Sequence, residues 1–122
     1  MRLVQIDAPE LETECYGQAA RRALARLTPA GTRIGLERDP ALDDVDRYGR
    51  ILRYVVAAGR NVNVALVAEG AAVPYFFRNG RGHHAARLLA AARAARARRA
   101  GLWAACPRAR LEPALGALTG PA

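Results

Sequence analysis

The chain contains no lysine: all 19 of its cationic residues are arginine. It has only two cysteines, two histidines and 6% aromatic residues. No apolar run approaches the roughly 20 residues that a membrane-spanning helix needs, so a membrane span is excluded from the reading. Cys15 and Cys106 lie too far apart in sequence to form a CxxC redox pair or a metal knuckle. They are read either as a disulfide stapling the C-terminal segment to the first loop, which implies an oxidising compartment, or as two unpaired, partly buried thiols. The opening MRLVQIDAPE lacks the apolar core of a signal peptide, so any export signal is expected further upstream.

What is present describes one folded domain. At 122 residues, 52% hydrophobic and 25% charged, the chain is long enough for a single core and too apolar for disorder. Its formal net charge of +8 favours a polyanionic partner, because guanidinium groups pair bidentately with phosphate. The preference for arginine over lysine, beside heavy alanine use, also fits the codon bias of a GC-rich genome, which needs no functional cause.

The hydrophobic pattern predicts a short strand at Leu3–Ile6 running into a turn at Asp7–Glu10, where Pro9 blocks further pairing. Ala20, Ala23, Leu24 and Leu27 recur at helical spacing, giving a helix over Gln18–Leu27 that Pro29 and Gly31 end. Strands are expected at Thr32–Glu37 and Ile51–Val56, flanking an acidic loop at Pro40–Asp46, with a turn at Gly59–Arg60. Asn63 is read as the cap of a short helix over Val64–Glu69, with Gly70 as its left-handed terminator. Val73–Phe77 is expected to be extended, and His83–Arg99 to be the longest helix, stopped by Gly101. Residues 1–106 are read as the domain and 107–122 as a flexible tail of Pro, Gly and Ala. Three strands are too few for a stable β-barrel.

The polar residues at strand ends suit phosphodiester hydrolysis. Asp7 offers an oxygen ligand to a hard cation such as Ca²⁺, and Glu10 a carboxylate to take a proton from an attacking water. Arg2 and Arg50, from separate strands, are suited to clamp a phosphate. Each has a plainer reading: Asp7 before a prolyl turn, Glu10 a solvated acid, Arg50 a surface arginine, Asp46–Arg47 a local ion pair. Tyr75, Phe76 and Phe77 are more often core than a stacking platform. His83 and His84, adjacent on the expected helix, would point in different directions and be poorly placed to share a zinc ion.

RLVQIDAPE, ECYGQAA at Glu14–Ala20, DRYGRILRYV at Asp46–Val55, NVNVALVAEGAA at Asn61–Ala72 and the Gly101–Cys106 ending together resemble the thermonuclease (staphylococcal-nuclease-like) family, in order and spacing. DRYGR is the most specific of these motifs. The resemblance implies an α+β protein built on an OB-fold, a five-stranded barrel carrying three helices. It implies a Ca²⁺-dependent nuclease acting on DNA and RNA and leaving 3′-phosphate ends. By position, Arg2 and Arg50 match the phosphate-clamping arginines, Asp7 a calcium ligand and Glu10 the general base. Ala8 stands where the family has Thr, a residue that lends calcium only its backbone carbonyl. Tyr75 and Phe77 fall near the nucleotide-packing tyrosines. Family members have two further strands before the position of Arg2, one bearing a second calcium aspartate; Asp39, Asp43 and Asp44 are at best distant substitutes. The chain is thus expected to be an N-terminally truncated member with a misplaced start, its full-length form secreted or in the cell envelope. Two other classes compete: a nucleic-acid-binding module of the same fold without catalysis, and an interaction domain using Arg93, Arg96, Arg98 and Arg99 of the last helix on an acidic partner, its binding weakened by salt and indifferent to calcium.

Overall fold

The computed structural model describes residues 1–122. In chain order it comprises β1 (Arg2–Leu3), β2 (Ile6–Asp7), α1 (Gly17–Leu27), β3 (Ile34–Glu37), β4 (Leu52–Ala57), β5 (Arg60–Asn61), α2 (Val62–Ala68), β6 (Val73–Pro74), a 3₁₀ turn at Phe77–Asn79, α3 (Ala85–Ala97) and α4 (Leu102–Ala105). The architecture is α+β. No helix is long and apolar enough to cross a membrane.

β4 organises the sheet. β3 runs antiparallel along one side of it, with Ile34 opposite Ala57 and Glu37 opposite Tyr54. On the other side β1 pairs in parallel with Leu52 and Arg53, and β5 returns antiparallel against Val56 and Ala57. The return is a two-residue hairpin whose central residues, Ala58 and Gly59, both have positive φ, matching the twist of the paired strands. β2 and β6 form a separate ribbon with Asp7 opposite Val73. The expected barrel is therefore not closed within this chain. The sheet is open at β3, all four residues of which are solvent-exposed, Ile34 and Leu36 included.

Between β1 and β5 the ladder on β4 has a gap, and one side chain fills it. Asn63 is fully buried; its Oδ1 accepts from the Val55 N–H at 3.0 Å, and its Nδ2 donates to the carbonyls of Val4 (2.9 Å) and Arg53 (3.4 Å). The expectation that Asn63 caps α2 is corrected: Asn61 is the cap, accepting from the Val64 N–H. The sequence offers two asparagines two residues apart, and only the approach of β1 decides which one faces inward. Gly70 ends the helix with φ of 72°, packed against the Ala100 carbonyl where no β-carbon fits.

Alanine makes the core thin-walled and close. Ala20 and Ala23 of α1, Leu66 and Val67 of α2, and Leu88 and Ala92 of α3 meet Ile6, Val55 and Ala57 of the strands. A second cluster gathers Val73, Leu102, Cys106 and Ala117. Cys15 and Cys106 are joined there in a disulfide, Cα atoms 6.0 Å apart. The three expected helices become four, because Leu102–Ala105 coils for one further turn. Val73–Phe77 is extended only at its start; the chain then turns through Arg78 and Asn79, both left-handed.

Residues 107–122, read from sequence as a loose tail, fold back onto the first loop. Cys15 N–H donates to Gly120 O, Phe76 N–H to Pro113 O and Ala122 N–H to Thr13 O, and Ala117 and Thr119 are buried. Composition suggested mobility; the disulfide at Cys106 holds the start of the segment beside the surface it covers.

Candidate active site

A cleft of about 810 Å³ opens where the start of β4 meets β1 and the β2–β6 ribbon. Four sequence candidates line it together with Asp7: Arg2, Arg50, Tyr75 and Phe77. Backbone pairing explains the convergence. Arg2 lies opposite Leu52 in a parallel ladder, its N–H bonded to Ile51 O, so it stands beside the residue that DRYGR delivers at position 50. The Tyr75 N–H donates to Gln5 O at 2.8 Å, which brings its ring within 5.8 Å of the Arg2 guanidinium.

Each charge in the cleft is held differently. Arg2 donates to Ile6 O at 3.3 Å and sits 3.6 Å from Asp7 Oδ1. Asp7 Oδ2 accepts from the Ala117 N–H at 2.8 Å, so the C-terminal segment shares this carboxylate. Gly116 has φ of 83°, and a β-carbon on it would come within 2.6 Å of the same oxygen. Asp46 organises the DRYGR loop by accepting from the Tyr48 and Arg50 N–H groups, both at 2.9 Å, and from Arg50 Nε at 2.8 Å. Desolvation opposes its ionisation, but the Arg50 and Tyr48 N–H groups and the Arg50 guanidinium together hold its carboxyl below the ordinary aspartate range. The local pair is thus Asp46–Arg50, while Arg47 lies over the Tyr48 ring at 5.0 Å.

Two further candidates lie elsewhere. Ala8 lines a smaller adjoining pocket of about 320 Å³, which shares Arg2, Asp7 and Arg50 with the main cleft. Glu10 is exposed and lines neither; its own N–H is taken by Glu14 Oε1. Of the acidic loop, Asp43 faces the cleft, Asp44 is engaged by Arg53 at 2.6 Å and Arg38 at 3.5 Å, and Asp39 is buried away from the cleft. Leu42, Val45 and Tyr48 build one wall and Leu115 contributes from the C-terminal segment. Nothing in their spacing announced them, since the wall exists only once the 40–50 loop folds over β4.

Asp39 anchors a second cluster. Its carboxylate accepts from the Tyr54 hydroxyl (2.6 Å), the His83 N–H (3.0 Å) and the Ala41 N–H (3.0 Å). Burial, then the Asp39 carboxylate, pushes the Tyr54 hydroxyl far above its usual range. Desolvation opposes ionisation of Asp39, but the bonds from Tyr54, Ala41 and His83 together hold its carboxyl below the ordinary range. His83 and His84 both reach Glu37 Oε1. The expectation that these rings diverge is corrected, because α3 begins only at Ala85 and both histidines precede it.

The open sheet of this α+β domain draws two arginines and an aspartate into one cleft, with DRYGR heading its central strand. Residues 1–105 match the family described as Staphylococcal nuclease homologue, and the chain belongs to that family. Among curated proteins it is similar to Protein ParB of Escherichia coli, with 38% identity over 114 residues covering 84% of this chain and 59% of that protein. The chain therefore spans about three fifths of the length of this relative.

Proposed function

We infer that the domain hydrolyses phosphodiester bonds of DNA or RNA with the help of Ca²⁺, leaving 3′-phosphate ends. The observation that carries this reading is the meeting of Arg2, Arg50, Asp7 and Tyr75, from separate segments, in one solvent-open cleft. Guanidinium groups from β1 and from the loop that leads into β4 can grip a phosphate on two sides and stabilise the charge that grows on its oxygens in the transition state. Tyr75 and Phe77, rings 6.4 Å apart, offer apolar faces to a nucleotide beside it.

The donors around Asp7 are of the hard, oxygen type that calcium takes. Asp7 and the Ala8 carbonyl would hold the ion, with water filling the rest of its shell. When bound, the ion supplies positive charge at the phosphate and acidifies a water molecule. A single carboxylate is a sparse set, so binding should be weak. Glu10 serves as general base only if the loop between Asp7 and Tyr16 moves it towards the cleft. A five-stranded OB barrel would be completed by strands pairing along the open edge of β3. The Cys15–Cys106 disulfide supports an oxidising, secreted or envelope location.

The exposed position of Glu10 and the engagement of Asp7 by Ala117 favour a second reading: a module of the same fold that binds nucleic acid without cleaving it. Cleavage of single-stranded DNA with calcium and with chelator separates the two. The hydrolytic reading expects calcium-dependent cleavage that falls about 10²–10⁴-fold in Glu10→Gln and about 10²–10³-fold in Arg50→Ala. A folded chain that binds DNA, releases it as salt rises and never cleaves it would sink the hydrolytic reading and leave the binding module.

A further inference from the structure

Away from the cleft, Glu37, His83 and His84 place their ligand-type atoms within 4.8 Å of one another. Glu37 ends β3, and the two histidines lead into α3. We propose that these three side chains form a binding site for a divalent transition ion, zinc by preference. Nε2 of each imidazole and the Glu37 carboxylate are the protein ligands, and water completes the shell. The site uses no residue of the proposed nuclease cleft.

The donor set is the first argument. Two imidazoles and a carboxylate are ligands that zinc takes in four-coordinate sites with an open, watered position. Spacing is the second. The two Nε2 atoms lie 3.0 and 3.1 Å from the same oxygen, Glu37 Oε1. Zinc bonds of about 2.0–2.1 Å in tetrahedral geometry separate neighbouring donors by about 3.3 Å, so both nitrogen–oxygen separations are within a few tenths of an ångström of what the ion requires.

The third argument is what lies behind the histidines. Metal-bound imidazoles characteristically donate their second ring N–H to a carboxylate, which fixes the tautomer and turns the free nitrogen to the metal. His83 Nδ1 is 3.2 Å from Asp39 Oδ1, leaving Nε2 to face Glu37. Asp39 is itself immobilised by Tyr54, Ala41 and the His83 backbone, with its side chain only 1% exposed. Gly82 permits this approach: a β-carbon there would collide with the Asp39 carboxylate and crowd the Tyr54 hydroxyl. The His84 ring is held edge-on to Tyr54, 4.6 Å between centroids. Two rings converging on one exposed oxygen, with a buried carboxylate behind one of them, are the parts of a metal site with its outer support. An ion there would tie the end of β3 to the start of α3. Through Asp39 and Ala41 it would also brace the loop that forms one wall of the cleft.

The test is titration of the metal-free full chain with Zn²⁺ in competition with a chromophoric chelator, repeated on Glu37→Gln and Asp7→Asn. Glu37 is solvent-facing, so its substitution should leave the fold intact, which circular dichroism checks. The expected result is one zinc per chain, an affinity at least about tenfold weaker in Glu37→Gln, and no change in Asp7→Asn. Side-chain NMR of the unmodified protein gives an independent reading, in which both histidine rings shift on saturation with zinc. No stoichiometric uptake, uptake indifferent to Glu37→Gln, uptake abolished by Asp7→Asn, or histidine resonances that stay in place would each overturn the proposal.

Discussion

Replacing Asn63 with alanine tests the account of how β4 is held. The side chain occupies the gap between β1 and β5, and deleting it strands the Val55 N–H and the Val4 carbonyl in a fully buried setting. Arg53 O keeps its other partner, the Val4 N–H at 2.9 Å, so it is not orphaned. An unsatisfied buried polar group costs about 1–3 kcal/mol, which puts the loss at about 4 kcal/mol for the two. Domains of this size have about 5–15 kcal/mol in total, so the variant should be close to its limit. At about 4 °C per kcal/mol, the midpoint of thermal unfolding should fall by about 15 °C. The control is Asn61→Ala, which removes only the α2 cap bond from Val64 and should cost about 1 kcal/mol. Urea unfolding followed by circular dichroism, with the disulfide intact in all samples, measures both. If Asn63→Ala loses no more than Asn61→Ala, Asn63 is not bridging the ladder and the reasoning fails.

Reducing the Cys15–Cys106 disulfide, which joins residues 91 apart, should lower stability by about 2–4 kcal/mol through the freedom returned to the unfolded chain. It should also raise amide exchange at Cys15 and Ala122, whose N–H groups bind across the first loop and the C-terminal segment; exchange left unchanged would mean that segment holds without its staple. Asp46 has a folded-state pKa below its unfolded value, so its contribution is present above the ordinary aspartate range and fades as pH falls through the lower folded value. Carboxyl NMR titration should therefore give Asp46 a midpoint below the ordinary aspartate value, with the Tyr48 and Arg50 amide signals moving in step; a midpoint at or above that value would contradict the loop geometry.

Much of the fold could be read in advance because it is local. The alanine and leucine period of α1, the β-branched run of β4 and Gly70 with its positive φ sit where their patterns place them. Arg2 and Arg50, which line the cleft, were legible for a different reason: they belong to segments whose family resemblance carries position as well as identity. The misreadings share a cause. Asn63, His83 and residues 107–122 were assigned from their neighbours in sequence, while their surroundings are set by β1, by Asp39 and by the disulfide.

The sequence alone determined the main helices and strands and the family, since periodicity, turn chemistry and motif order are written within short windows. Only the tertiary structure decided which asparagine is a cap and which a buried bridge, and that Glu10 stands outside the cleft Asp7 lines. It also brought Glu37 and the His83–His84 pair to one point, 46 and 47 residues apart in the chain. Such outcomes depend on which strands and loops come to lie side by side, and contact across that distance leaves no trace in the spacing of the residues themselves.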